Sequence, residues 1–294
     1  MNPVFLTPVN VFADNASWPE PRWYQAPLSR QLSMTEREKA VAASRLRFSR
    51  YQAFSTVLAA AAVNLLTPYF KAQPRGILAL AGSTGLDVSW AMLERITSGK
   101  PDLINPIMFP ATLDSGCPSA IAALFDAHAF ALSLNANRDA FVHALYVARL
   151  MLFNGDASEI ILVSALDGGP TLTRACNEAD RAQPASSGIA FLVEASLPQR
   201  TCIRLTWSGA PSDAGRAPHA DLPDSAIRLK SNDWISVEMV DAIKFLAVLR
   251  TNPTVHIRPS GYARELIVAE TVIVPASDNT HRDDESGECG AHST

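Results

Sequence analysis

Cys117 lies in Asp114-Ser-Gly-Cys-Pro-Ser119, a string of small residues at the expected start of a helix, where a nucleophile could sit. The unpaired N–H groups of a helix N-terminus stabilise a thiolate. With His128 or His143 as base, Cys117 would suit an acyltransferase or a thioesterase. Free cysteines are also commonly buried as small hydrophobes, and His128 and His143, in apolar surroundings, read as core histidines. No metal site is expected. The four cysteines stand at 117, 176, 202 and 289 without a CxxC pair, and the histidines do not cluster. Gly82-Ser-Thr-Gly85 lacks the GK[ST] of a phosphate-binding loop, so neither nucleotide nor other cofactor is expected.

The chain has 294 residues, 48% of them hydrophobic and only 18% charged, with 25 Lys and Arg against 29 Asp and Glu. That balance excludes a disordered chain. It provides no basic face for nucleic acid either. Scattered thiols fit a reducing compartment, and no positive charge precedes the N-terminal apolar run, so a cytoplasmic protein is expected. The apolar stretch 51–66 contains Gln52, Ser55, Thr56 and Asn64 and falls short of a membrane span. It reads as a buried core helix.

The elements that would position these residues alternate. Strands are expected at 4–12, 77–81, 130–134, 160–165 and 265–274, with 189–194 and 203–207 as a hairpin pair. Helices are expected from Thr35 to Leu66 with a break, from Gly82 to Thr97, at 115–125, at 139–153 closed by Asn154-Gly155, and at 237–249. Residues 209–224 read as loop, and the polar stretch after Pro275 reads as a disordered tail. Continuous apolar strands between helices predict a layered α/β protein.

The order of segments from Gly82 to Gly168 is specific. A Gly-rich turn precedes Ile104-Asn-Pro-Ile-Met-Phe-Pro110. A small-residue helix, a strand and a long helix follow. Gly155-Asp-Ala-Ser158 then leads into Val163-Ser-Ala-Leu-Asp167 and two glycines. This sequence resembles the N-terminal half of the β-ketoacyl synthases of the thiolase superfamily. Ile227-Arg-Leu-Lys-Ser-Asn232 and the helix after it resemble the family's "KSniGH" motif and its following helix. The resemblance implies a thiolase-like layered fold: a near-complete N-terminal half at 1–200, a shortened C-terminal half at 201–275 and a tail at 276–294.

Residue by residue, the family's catalytic groups are missing. The nucleophile slot, 17 positions before Gly155, is Arg138, and a guanidinium has no nucleophilic form. Ile235 stands where "KSniGH" has its histidine, no "HGTGT" or "FGFGG" occurs, and of the catalytic set Lys230 remains. This departure resembles the chain-length factors, in particular the short forms of aryl-polyene-type pathways. Such subunits lack the nucleophile and pair with an active ketosynthase.

The resemblance implies a non-catalytic subunit that bounds its partner's acyl tunnel and meets acyl carrier protein through that partner. Its tunnel-lining candidates are Ser83, Asp87, Trp90 and Met108. Its partner-facing candidates are Phe130, Ala131, Leu132, Ser133, Leu134 and Asn135, together with Arg138. Arg138 either fills the vacated pocket or stands exposed at a helix end. The remaining alternatives are the Cys117 enzyme and a homodimeric scaffold without ligand.

Overall fold

Three strands, β2 (Arg75–Leu80), β3 (Phe130–Ser133) and β4 (Glu159–Leu166), form a parallel block at one edge of the sheet, and a second, short parallel pair lies at the other edge. β2 pairs in parallel with β3 on one side and with β4 on the other. β5 (Ser187–Glu194) is antiparallel to β4, and β1 (Val4–Phe12) is antiparallel to β5. The sheet continues through β6 (Cys202–Ser208), β9 (Leu266–Val272), β8 (Thr254–Ile257) and β7 (Ala226–Ile227). Among the described residues the order is β3-β2-β4-β5-β1-β6-β9-β8-β7. This computed structural model describes residues 3–12, 34–48, 52–71, 74–81, 84–135, 140–167, 186–208, 226–227, 254–257 and 266–272.

The architecture is the expected layered α/β one, with one correction. The two segments read as a hairpin, β5 and β6, are not paired with each other. β1 lies between them, joining β5 over its length and β6 through Val4, Phe5 and Leu6. Sequence neighbours usually pair, but here the turn at 195–201 steps over a strand from the other end of the chain. The boundary expected at residue 200 falls in that turn. The helix expected at 237–249, the loop at 209–224, Lys230 and the tail from 276 lie outside the described residues.

Side-chain alternation divides the core into two layers, one on each face of the sheet. On one face Leu78, Leu80, Ile160, Leu162, Phe191 and Val193 pack against α5 (Ala140–Asn154). On the other, Ile77, Ala79, Ile161, Val163, Ala190 and Leu192 pack against α2 (Phe54–Leu66) and α4 (Gly116–Leu124). α1 (Met34–Arg45) lies on α2. The expected long helix is thus two helices, the first ending at Arg45 and the second starting at Phe54. Ten residues of α2 are buried, and no single helix among the described residues is long and apolar enough to cross a membrane.

α2 approaches the sheet with its backbone. A Cβ built on Gly188 of β5 would lie 2.2 Å from the Ala59 nitrogen and 2.5 Å from the Leu58 carbonyl carbon. Only a hydrogen fits there. At the opposite, N-terminal ends of the parallel strands, Arg75 and Glu159 form a buried pair. Nε donates to Oε1 at 2.6 Å, and Nη1 donates to the Phe125 carbonyl at 3.1 Å. The guanidinium also lies 3.9 Å from the Phe70 ring centroid.

Gly188→Ala is therefore expected to destabilise the chain by at least about 2 kcal/mol, because backbone cannot move aside as a side chain would. Urea unfolding measured beside Gly99→Ala checks this, since a Cβ at Gly99 would meet nothing within 4 Å although its φ of +72° adds backbone strain.

Candidate functional site

The parallel strands β2, β3 and β4 end on the side where α3 (Leu86–Thr97) and α4 begin, and ligand sites of α/β sheets form at such ends. Gly85 caps α3 with φ +80°, and a Cβ there would sit 2.1 Å from the Ala111 carbonyl oxygen. A Cβ on Gly116, at the start of α4, would meet the Pro110 carbonyl oxygen at 2.4 Å. The two glycines thus let the 3-10 segment Pro106–Thr112 settle against the N-terminal ends of both helices. Asn105 caps that segment, its Oδ1 accepting from Ile107 N–H at 3.1 Å.

This packing fixes the tunnel-lining candidates. Met108 is buried, 4% exposed. Trp90 is 41% exposed on α3, its Nε1 donating to Glu94 at 2.7 Å. Asp87 lies in the first turn of α3, half-buried and near enough to Asp167 for its charge to act on that carboxyl. Ser83 lies outside the described residues, as does Arg138.

Asp167, at the end of β4, was not singled out by sequence reasoning. It is buried and bonded to Ser186 and to the backbone of Gly85. Burial, followed by the charge of Asp87, raises its pKa from 3.8 to about 6, and the two hydrogen bonds only partly offset this. The signal was present in the sequence: a carboxylate directly after a continuous apolar strand stands where such strands deliver functional groups.

The partner-facing candidates occupy the free edge of the sheet. β3 pairs with β2 alone among the described residues. Phe130 lays its ring over Gly76, and Ala131 packs on the face of the sheet that α4 covers. Leu132 is 38% exposed. The Ser133 hydroxyl is buried and has no hydrogen-bond partner among the described residues. Leu134 N–H donates to the Ala79 carbonyl at 2.8 Å, and Asn135 Nδ2 donates to Asp114. That last bond ties the sheet edge to the loop between the 3-10 segment and α4.

Cys117 begins α4 as expected, but it is buried, and desolvation pushes its thiol up to about 12, outweighing the Thr56 hydroxyl beside it. The histidine expectation is corrected. His128 is 75% exposed and bonds to Asp126 at 2.6 Å, and His143 is exposed on α5. Their apolar sequence neighbours point inward while they point out. Neither is placed to serve Cys117. α5 lies across the sheet from α4, as same-handed crossovers running in opposite directions require. His128 follows the far end of α4, on the order of 13 Å along the helix axis. Among the described residues no group of three His, Cys, Asp or Glu could hold a metal.

Two outcomes follow. In the native chain Cys117 should resist iodoacetamide at pH 8 and become labelled on unfolding, as read by peptide mass mapping. Intact mass after incubation with acyl and malonyl thioesters should show no adduct that Cys117→Ala removes. For Asp167, whose folded pKa lies above its unfolded value, the stabilising contribution is complete below pH 3.8 and is lost as pH rises through about 6. Asp167→Asn keeps an acceptor for Gly85 and should therefore stabilise the chain at pH 7.5, on the order of 2–3 kcal/mol. At pH 4 the gain should vanish in urea titrations.

No protein-family model and no curated protein matches the sequence. Solved structures do match. A chain of the ketosynthase (ApeO) in complex with its chain length factor (ApeC) from Xenorhabdus doucetiae aligns with a TM-score of 0.55 at 13% identity, over 92% of this chain and 99% of that one. A chain of the ishigamide ketosynthase/chain length factor aligns at 0.56 and 14% identity, over 93% and 100%. A chain of AntDE:AntF, a type II acyl-carrier protein in complex with its ketosynthase, aligns at 0.55 and 11%, over 93% and 100%. At such identities the likeness is one of fold, and it extends over nearly the whole of this chain and of each neighbour: the chain has the thiolase-like α/β fold of ketosynthases and chain length factors.

Proposed function

We propose that the chain is a non-catalytic ketosynthase-like subunit, a chain-length factor. It pairs with an active β-ketoacyl synthase and bounds the acyl tunnel of that partner in polyketide, polyene or fatty-acid-like biosynthesis. Residues 1–200 then form the N-terminal half and 201–275 the shortened C-terminal half. Acyl carrier protein docks through the synthase, and the pair works in the cytoplasm.

The carrying observation is an exposed apolar face beside a sheet edge that pairs with no further strand among the described residues. α3 and the 3-10 segment expose Leu86, Trp90, Leu93, Ile96, Ile107 and Phe109, each more than a third exposed. Asn135 and Asp114 join this face to the open edge of β3. A patch of large apolar groups beside unpaired strand N–H and C=O groups is costly in water. One partner that adds a strand to β3 and covers α3 removes both costs. The solved neighbours include ketosynthase–chain length factor complexes, and Arg138 stands at the nucleophile slot. The Cys117 enzyme has no comparable support, given its neutral buried thiol and distant histidines.

Co-expression with the β-ketoacyl synthases of its own host is expected to give a 1:1 complex that elongates malonyl units on carrier protein. Phe109→Asp should weaken that complex at least about tenfold, as expected when an apolar anchor is charged. Met108→Ala, which removes the proposed tunnel end, should lengthen the product. A chain that is monomeric, monodisperse and cooperatively folded alone, and that binds no synthase, overturns the reading.

A further inference from the structure

The segments that surround Met108 meet at one guanidinium. Arg95, in the last turn of α3, donates through Nη1 to the carbonyl oxygen of Leu103, 2.8 Å away. The same nitrogen lies 3.5 Å from Sδ of Met108. Among the described residues no carboxylate pairs with Arg95. The group that would ordinarily complement the helix C-terminus reaches instead to the turn Pro101–Leu103 and the segment that follows.

The backbone at Met108 is fixed by other means: its N–H donates to the Asn105 carbonyl at 2.9 Å, and Gly85 and Gly116 seat the segment. None of these holds the side chain. Methionine has three rotatable bonds and adapts to whatever space is offered, so an unheld Met108 would close a tunnel at a variable depth. A thioether is a weak acceptor, but a charged donor anchored on Leu103 restrains the sulfur at little cost in entropy.

We infer that Arg95 is a positioning residue that fixes the Met108 side chain and so sharpens product length. The inference rests on the reading of Met108 as the tunnel end. Removing Arg95 frees the side chain without shortening it, so the distribution of products should broaden, whereas Met108→Ala should move the distribution as a whole toward longer chains.

Two measurements separate this inference from the reading beneath it. In the full chain labelled with 13C-methyl methionine, the Met108 methyl, assigned among six methionines by Met108→Ala, should move toward its rotamer-averaged shift and sharpen in Arg95→Ala. Arg95→Lys, which retains a cation but not the fork, should lie between the two. In the complex with the synthase, Arg95→Ala should at least double the share of products differing in length from the main wild-type product. It should add nothing in a Met108→Ala background. A Met108 methyl unmoved by both Arg95 variants overturns the inference. So does an Arg95→Ala effect that persists undiminished without Met108, or an unchanged distribution in Arg95→Ala beside a lengthened one in Met108→Ala. If Met108→Ala leaves product length unchanged, the tunnel-end reading itself falls, and the inference falls with it. Arg95→Lys supplies the product comparison if Arg95→Ala fails to pair.

Discussion

The seat of α2 on Gly188 governs the shape of everything above it. A helix whose backbone touches a strand cannot tolerate large side chains between them, and the residues obey. α2 presents Ala59 to Ala62 and Val63, all buried. The strands answer with Ala79, Ala81, Ala165 and Ala190 on the same face. Volume excluded there is recovered on the other face, where Leu78, Leu162, Phe191 and Trp207 fill the space under α5. The same face also carries Ile77, Ile161, Val163 and Leu192, so the small residues accommodate the close approach locally and not over the whole layer. With α2 pinned, α4 beside it and the segment against the α4 N-terminus have little freedom left.

Charge is distributed to the two ends of the sheet with opposite consequences. At the N-terminal ends of β2 and β4, buried carboxylates have partners. Glu159 faces Arg75 and the Lys71 N–H, and Glu194 faces Arg200 and, at 3.5 Å, Lys71. Arg200 also reaches Thr7 of β1, so this network staples strands distant in sequence. Burial still raises the Glu194 pKa, and its cations oppose that. At the other end Asp167 lies close to a second carboxylate, Asp87, and its acidity is shifted instead. Breaking a paired buried charge is expensive, so the first end is a lock. The second carries strain, which folds concentrate where they act.

Much of this was legible in the sequence, because local pattern determines local structure. β1 was read with its observed bounds, β2 and β4 as continuous apolar runs, and α5 with its Asn-Gly stop. What escaped depends on contacts distant in sequence. No pattern near 195–201 says that β1 will enter between β5 and β6. Apolar neighbours of His128 and His143 concealed that each points outward, since periodicity identifies a face only when the element has been placed. Cys117 was located correctly at a helix start. Whether such a thiol ionises is decided by burial, which here overrides the helix dipole. The reach of Arg95 toward Met108 is a tertiary event that no local pattern marks.

A subunit that limits the length of another's product has different physical requirements from an enzyme. It needs no nucleophile and no poised base, but it needs a wall that does not yield. In the proposed reading, the wall is the 3-10 segment and α3, and the restraints on them include two glycines that admit carbonyl oxygens, the Asn105 cap, the Arg95 bond to Leu103, and the bond of Gly85 to the titratable Asp167. Among the described residues the outer surface of the same wall is apolar and exposed, so in this reading its rigidity is completed by the partner that packs against it. Sharp control of length and obligate pairing then have a common origin. Under the proposed function, the surface that recognises the partner is the back of the wall that the partner's tunnel meets, and a change in one is expected to be felt in the other.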